Sequence, residues 1–176
     1  MIFTATSLAG AYLIDFSGVE DPRGFFARTW CLKEFAAHGL NFVPVQMNHS
    51  YSRERGTLRG LHYQVAPSTE AKLIRCVRGA VYDVMIDLRA ESPTFRQVCG
   101  VDLAAHDHRM VYVPERCAHG FLSLQDGSEV LYLVSDYYAP ECERGIRYND
   151  PAFAIRWPLE ATTISDKDRS WPDFRS

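Results

Sequence analysis

The sequence lacks the features that mark several large classes of protein. Its 176 residues hold no apolar run of membrane-spanning length, and the N-terminus shows no basic segment followed by an apolar core, as a secretory signal would. A formal net charge of −3 leaves no excess of cations for nucleic acid or for an anionic membrane surface. We therefore expect a cytoplasmic protein that binds neither nucleic acid nor membrane.

Cysteine-rich and glycine-rich motifs are missing as well. The five cysteines are widely spaced without a C-x-x-C pair, so neither a zinc knuckle nor a thioredoxin-like site is indicated. The chain contains no P-loop, no G-x-G-x-x-G fingerprint and no G-x-S-x-G elbow. These absences argue against common nucleotide-binding and serine-hydrolase folds, and the cysteine pattern favours a reducing compartment.

The chain that remains reads as one β-rich unit. No linker, repeat or low-complexity tract divides it, so we predict a single domain over residues 1–176. One helix is predicted near Leu32–His38, where helix-forming residues end at Gly39. Elsewhere short alternating runs are broken by turn-forming residues. Many strands without a βαβ rhythm predict an all-β antiparallel sandwich or jelly roll.

The clearest strand signal runs from Lys72 to Leu88, in KLIRCVRGAVYDVMIDL. Gly79 splits this run into two arms rich in β-branched residues, which predicts a β-hairpin. Further strands are predicted at Met110–Val113 and Glu129–Val134.

Strand alternation places charged residues among apolar ones. Lys72 shares a face with Ile74 and Cys76, where an ammonium is costly unless it is paired or used. A lysine at the mouth of a strand, with its head in water, is the structural alternative. Asp83 and Asp87 also share a face with apolar residues, and they are candidate carboxylates for buried cations.

Three further polar residues lie in apolar surroundings. Tyr132 belongs to EVLYLV, a run that is apolar on both faces and therefore predicts an interior strand. His62 and His119 each lie beside a glycine and large apolar groups. All three have structural readings as packed or hydrogen-bonded core residues. With Lys72 they would also make a proton-transfer set, although spacing alone does not bring them together.

Metal and thiol chemistry are weaker interpretations. His106 and His108 put two imidazoles on one face, but no third ligand is evident and a solvated turn is expected. His62 is not part of an H-x-H pair, so we predict no metal. Cys117 lies two residues from His119 and would share its strand face, yet a cysteine in an apolar setting is usually inert.

Six segments together resemble the dTDP-4-dehydrorhamnose 3,5-epimerase family. They are DPRGFF (21–26), GTLRGLHYQ (56–64), KLIRCVRGAVYDVMIDLR (72–89), SPTF (92–95), AHGF (118–121) and ISDKD (164–168). The resemblance extends from Asp21 to Arg169. It implies a cupin-type antiparallel jelly-roll barrel with one or two short helices. It also implies a homodimer, catalysis without a cofactor, and an N-terminal segment that crosses to complete the partner's site.

The resemblance also implies roles for individual residues. His62 would be the general base, oriented by Asp168; Lys72 would stabilise an enolate, and Tyr132 would return a proton on the opposite face. The residues implied to bind the nucleotide sugar are Arg23, Phe26, Arg28, Gln46, Asn48, Arg59, His119, Tyr138, Glu143 and Arg169. Among them, Tyr138 would stack on the nucleobase.

These residue types suit the chemistry on their own account. A proton beside a ketone becomes removable when a fixed cation stabilises the resulting oxyanion. Histidine is the side chain whose ordinary pKa suits a base near neutral pH. Inversion needs the second proton from the other face, so acid and base must stand on opposite walls of a cleft.

The chain departs from the expected family pattern at five positions. Arg28 stands where an acidic residue is expected near the base, and a cation would donate to cytosine rather than accept from thymine. Glu70 replaces an expected glutamine two residues before Lys72. Arg116 and Cys117 replace a glycine and an aromatic residue, and Tyr148 replaces a tryptophan.

The resulting prediction is an epimerase of an NDP-4-keto-6-deoxyhexose. The main reading is conversion of dTDP-4-keto-6-deoxyglucose to dTDP-4-keto-L-rhamnose by proton transfer at C3 and C5. The alternatives are an epimerase of C3 or C5 alone, on another sugar or on a nucleotide such as CDP, and a catalytically dead cupin that binds a sugar nucleotide. A keto-isomerase on the same scaffold is disfavoured because we expect it to lack the Tyr132 acid.

Overall fold

The chain folds mainly into short strands, in a computed structural model that describes residues 1–16 and 18–175. β-Branched and aromatic residues favour extended backbone, and glycine, proline and aspartate break the runs at turns. The strands are β1 (Ile2–Ala5), β2 (Tyr12–Asp15), β3 (Val19–Asp21), β4 (Gly24–Phe26), β5 (Gln46–Ser52), β6 (Thr57–Gln64), β7 (Lys72–Arg78), β8 (Ala80–Asp87), β9 (Val98–Ala104), β10 (Arg109–Val113), β11 (Cys117–Ser123), β12 (Ser128–Val134), β13 (Glu143–Gly145) and β14 (Thr163–Ile164).

Two sheets form the body of the fold. The first has the order β1-β2-β10-β7-β12-β5, and the second has the order β13-β6-β11-β8-β9, with β14 added beside β6. The pairs within both orders are antiparallel, and β14 alone runs parallel to its partner β6. This confirms the all-β antiparallel jelly roll. Tyr132 lies on an interior strand as predicted, because β12 pairs with both β5 and β7.

The run from Lys72 to Leu88 is not a hairpin, so that prediction was wrong. β7 pairs with β10 and β12 in the first sheet, whereas β8 pairs with β9 and β11 in the second. Gly79 is therefore a corner at which the chain passes from one sheet to the other. Its φ of +70° favours glycine, and a Cβ there would lie 2.6 Å from the Ser128 hydroxyl.

The main core lies between the two sheets. Ile74 and Cys76 from β7 meet Met85 from β8 and Phe121 from β11 there. Leu73 points the other way, into a separate cluster on the outer face of the first sheet. The predicted alternation of β7 is therefore correct, and Lys72 faces the space between the sheets together with Ile74 and Cys76.

Both outer faces of the sheets are also covered. Helix α1 (Leu32–Ala37) matches the predicted helix and packs Phe35 against the first sheet. A second cluster, which includes Phe153 and Phe174 from the C-terminal part, covers the second sheet. Helix α2 (Asp166–Ser170) follows β14, and the Ser165 hydroxyl caps it by accepting from the Asp168 N–H at 3.1 Å. Since both outer faces are packed, a site must lie in the part of the space between the sheets that the core does not fill.

Two surface elements bear on the predictions. Strands β3 and β4 pair with each other in a separate two-stranded sheet, and all six of their residues are exposed. His106 lies exposed in a 3₁₀ turn (Ala105–Asp107), as expected, whereas His108 follows that turn and packs against Phe16 and Phe25, so the solvated turn is confirmed for His106 only. In residues 1–16 and 18–175, no three His, Cys, Asp or Glu side chains are grouped as metal ligands. No helix in that part of the chain is long and apolar enough to cross a membrane.

Candidate active site

A cavity of about 510 Å³ opens beside the core, and it brings the four predicted catalytic residues together. His62 comes from β6, Lys72 from β7, Tyr132 from β12 and Asp168 from α2. A smaller cavity of about 280 Å³ adjoins it, and His62, Lys72 and Tyr132 line both. These three side chains therefore stand where the two cavities meet.

His62 and Asp168 form a close pair across 106 residues of sequence. The Asp168 Oδ1 lies 2.6 Å from His62 Nε2, and its Oδ2 accepts from the Gly60 N–H at 3.2 Å. The Asp168 side chain is 6% exposed and the imidazole 32% exposed. Burial alone would raise the pKa of the Asp168 carboxyl, but the contacts with His62 and Gly60 hold that pKa below its ordinary value. Asp168 is thus a buried carboxylate that orients an accessible imidazole.

Trp171 supports this pair, and sequence reasoning missed it. Gly145 on β13 lies opposite His62 in the strand register. A Cβ at Gly145 would come within 2.2 Å of the Trp171 ring, so only glycine leaves room for the indole. The indole in turn stands edge-on to His62, with 6.4 Å between ring centroids. The tryptophan directly after α2 and the glycine on β13 were the available signals, but neither residue points to the other in the sequence.

Lys72 is buried and paired. Its ammonium donates to the His62 carbonyl oxygen at 3.2 Å and lies 3.1 Å from Glu70 Oε1. Asp83 and Asp87 are fully buried as the alternation predicted, but neither pairs with Lys72. Asp83 lies 2.7 Å from His119 Nε2, and Asp87 pairs with Arg89 at 2.7 Å. The counter-ion of Lys72 is instead Glu70, in the loop before β7.

Tyr132 lies in the first sheet, as Lys72 does, and lines both cavities together with Lys72 and His62 from the second sheet. Its neighbours in the strand register are Ile74 on β7 and Asn48 on β5. Burial raises the pKa of the Tyr132 hydroxyl, and the nearby charge of Glu70 adds to that rise. The phenol is therefore protonated at neutral pH, the form required of a proton donor.

Six of the predicted binding residues line the cavities. Arg59 and His119 line the larger one; Gln46, Asn48, Tyr138 and Glu143 line the smaller one. Several of them are already oriented by their neighbours. Gln46 Nε2 donates to Asn48 Oδ1 at 2.9 Å, and the Tyr138 hydroxyl donates to Glu143 at 2.8 Å.

Lys167, which precedes Asp168 on α2, was not predicted as a site residue. It reaches both carboxylate oxygens of Glu143 at 2.6 Å and so ties α2 to β13 beside the cavities. This pair lowers the pKa of the Glu143 carboxyl against the effect of its burial.

Four predicted binding residues are not brought to the cavities of their own chain. Arg23 is 90% exposed and pairs with Asp21, and Arg28 pairs with Glu34. Phe26 is 79% exposed at the end of β4. Arg169 is exposed on α2 and lies outside the cavity walls. The first three belong to the exposed N-terminal part that the resemblance assigns to a partner's site.

Cys117 is unsuited to nucleophilic catalysis. The residue is 2% exposed, and burial raises the pKa of its thiol to about 12. The reactive thiolate is therefore absent at neutral pH, and Cys117 packs in the core between the sheets.

Comparison with known proteins agrees with the fold. Together these define the class of protein: a cupin-fold isomerase, more narrowly a carbohydrate epimerase. The sequence profile described as dTDP-4-dehydrorhamnose 3,5-epimerase matches residues 5–176. The chain belongs to the dTDP-4-dehydrorhamnose 3,5-epimerase family.

Three relatives illustrate the similarity. The dTDP-4-dehydrorhamnose 3,5-epimerase of Shigella flexneri is 45% identical over 155 residues, which cover 88% of this chain and 85% of the relative. The Bacillus anthracis enzyme of the same name, solved with TDP and PPi bound, gives a TM-score of 0.94 at 41% identity over 98% of this chain and 99% of that one. A 3'-monoepimerase from Streptomyces bikiniensis, solved in complex with dTDP-quinovose, gives a TM-score of 0.87 at 36% identity. The match covers 96% of this chain and 85% of that one.

Proposed function

We propose that this chain epimerises dTDP-4-keto-6-deoxyglucose at C3 and C5 to dTDP-4-keto-L-rhamnose, without a metal or cofactor. The observation that carries the proposal is the cavity in which His62, Asp168, Lys72 and Tyr132 meet. The substrate follows from the names of the relatives, and the mechanism follows from the chemistry of these four side chains.

His62 is the general base in this mechanism. Because Nε2 faces Asp168 at 2.6 Å, Nδ1 is the nitrogen left to take a proton from carbon. In the described part of the chain Nδ1 has no hydrogen-bond partner of its own. Asp168 stabilises the imidazolium that forms, because its lowered pKa keeps it ionised at neutral pH.

Lys72 stabilises the enolate. Removing a proton at C3 or C5 puts negative charge on the C4 oxygen, and a fixed cation beside that oxygen offsets the charge. The ammonium donates to the His62 carbonyl oxygen and forms an ion pair with Glu70. One such electrostatic interaction is worth roughly 10²–10³ in rate.

Tyr132 returns the proton from the other side. His62 belongs to the second sheet and Tyr132 to the first, so the base and the acid project from opposite walls. A proton removed at one wall and returned at the other inverts the carbon between them. The raised pKa of Tyr132 keeps its proton available at neutral pH.

In this proposal, the residues that bind the nucleotide sugar come from two chains. Gln46, Asn48, Arg59 and His119 bind the sugar and diphosphate, and Tyr138 stacks on the base near Glu143 and Arg169. Arg23, Phe26 and Arg28 act in the site of a homodimer partner, since the β3–β4 hairpin is exposed and carries apolar side chains.

Mixing two inactive variants tests this sharing of sites. His62→Ala disables the base, and Arg23→Ala disables the contribution to the partner. In a homodimer with exchanged segments, a mixed dimer contains one site free of both changes, so activity returns after subunits are exchanged. No recovery between dimers that do exchange subunits would refute the sharing, and a monomer by sedimentation would refute the dimer.

Proton NMR of the purified protein with dTDP-4-keto-6-deoxyglucose in D₂O tests the reaction itself. Loss of the H3 and H5 signals supports epimerisation at both carbons. Turnover is expected to persist after exhaustive chelation. Binding without any exchange would favour a catalytically dead sugar-nucleotide-binding protein, once a CDP-sugar had also been tried.

A single-centre epimerase is the second candidate. It is favoured by the 36% identity to the 3'-monoepimerase over most of both chains. Loss of only H3, or only H5, in the same NMR experiment would establish it. The CDP-sugar belongs in the same assay, because Arg28 is a cation where an acidic residue is expected near the base.

A further inference from the structure

Glu70 has a place in the site that no role above explains. Its side chain is 12% exposed, it lines the smaller cavity, and its Oε1 lies 3.1 Å from Lys72 Nζ. Within residues 1–16 and 18–175, Lys72 is the one ion-pair partner of Glu70. A carboxylate buried beside a reactive cavity is costly unless that contact is used.

We propose that Glu70 is a positioning residue, one that acts through Lys72 by holding its ammonium at the cavity where an enolate oxygen would form. This inference rests on the proposed function, because it gives Glu70 a role in the same reaction.

The surroundings of the ammonium support this role. Lysine has a flexible four-carbon stem, so an ammonium held at one point only would sample several positions. The His62 carbonyl provides one acceptor, on β6 in the opposite sheet. Glu70 provides a counter-charge from the loop that leads into β7, two residues before Lys72. A hydrogen bond and an ion pair from two directions restrain the ammonium more than either one does.

The consequence for catalysis is one of geometry. An enolate is stabilised only if the cation already lies where the charge develops, and a misplacement of about 1 Å can cost roughly 10²-fold in rate. A glutamine side chain keeps an oxygen at the same reach but removes the charge, whereas alanine removes both. The two substitutions therefore distinguish partial loss of the contact from complete loss.

Kinetics of Glu70→Ala and Glu70→Gln test the proposal. We expect E70A to lower kcat by about tenfold or more while KM changes less than about threefold, because a transition-state interaction is lost. E70Q should lower kcat less than E70A does, because it keeps an oxygen near the ammonium. Glu115→Ala is the matched control, since Glu115 is exposed and bonds to Thr69 next in sequence to Glu70. It should leave kcat unchanged.

A double-mutant cycle with Lys72→Ala separates positioning from a general structural effect. If Glu70 acts through Lys72, then E70A adds no further loss to K72A, as measured by deuterium exchange. Multiplying losses would overturn the proposal, as would a wild-type kcat in E70A or an E70Q as slow as E70A. If E70A does not fold, Glu70→Asp replaces it, since it withdraws the carboxylate by one methylene.

The same assay distinguishes this failure from failure of the proposed function. Wild-type protein that exchanges no sugar proton with solvent overturns both. An active wild type with no effect of E70A overturns the role of Glu70 alone.

Discussion

Two buried carboxylates in this molecule illustrate how similar local chemistry serves different ends. Asp168 contacts His62 and accepts from the Gly60 N–H, and its histidine partner is one-third exposed to a cavity. Asp87 accepts from Arg89, Ser92 and Thr94, and it lines none of the cavities described. Hydrogen bonds hold the pKa of both carboxyls below the ordinary value against the effect of burial.

The difference lies in what the partner can still do. Arg89 is held by Asp87 and by the Ala9 carbonyl, and Ser92 and Thr94 belong to the same network. The network therefore joins the N-terminal loop to the loop after β8. Its hydrogen-bond donors bond to other members of the same network. His62 contacts Asp168 through one nitrogen, and its other nitrogen has no hydrogen-bond partner in residues 1–16 and 18–175. A lowered pKa alone would not have told the two sites apart.

The largest expected effect is on catalysis at Asp168. Asp168→Asn keeps the size of the side chain but removes the charge that orients and stabilises the imidazolium. We expect kcat to fall by roughly 10³–10⁴, as in other histidine–aspartate pairs. Deuterium exchange at the sugar carbons measures the loss. Activity within tenfold of wild type would contradict the role of Asp168.

A smaller effect should separate the two halves of the reaction. Tyr132→Phe removes the proposed acid but leaves His62 and Lys72, so proton abstraction should continue while inversion falls by about 10²–10⁴. NMR in D₂O follows both processes in one sample. Equal loss of exchange and inversion would argue against Tyr132 as the acid.

Asp87 should behave in the opposite way. Asp87→Asn leaves Arg89 buried without its counter-charge, which should destabilise the fold by about 3 kcal/mol or more. Urea denaturation measures this change, and kcat per folded molecule should stay near wild type. If D87N lowered kcat without lowering stability, the structural role assigned to Asp87 would be wrong.

Acid should produce the smallest and most gradual effect. Because the folded pKa of Asp87 is lowered, its stabilising contribution is complete above the unfolded pKa of about 3.9 and declines as pH falls through and below that value. The stability difference between wild type and D87N should therefore be constant near neutral pH and shrink below about pH 4. Denaturation curves at several pH values would show this convergence, and a difference independent of pH would contradict it.

Parts of the fold were predictable because alternation is a local property. The face that carries Lys72, Ile74 and Cys76 follows from the two-residue period of a strand, and helix α1 follows from its composition. The corner at Gly79 was misread as a hairpin. A glycine between two β-rich arms looks the same whether the arms pair with each other or enter different sheets, and only their other partners decide.

Less of the site than of the fold could be predicted from local sequence patterns. Asp168 lies 106 residues from His62, so its role came from the family resemblance and not from any spacing. Glu70 as the partner of Lys72, and Trp171 against Gly145, depend on three-dimensional contacts that no periodicity reports. The single-domain reading stays a prediction, as does the role of the exposed residues Arg23, Phe26 and Arg28.

The corner at Gly79 is also one of the connections between the two walls of the cavity. β7 and β8 belong to opposite walls, and one residue joins them at the end of β7 that is about 20 Å from Lys72. At the Lys72 end, residues 65–71 join β6 to β7 and so connect the walls a second time, and the ammonium bond to the His62 carbonyl adds a noncovalent link. The walls are thus connected at both ends of β7, which restricts how far they can separate beside Lys72.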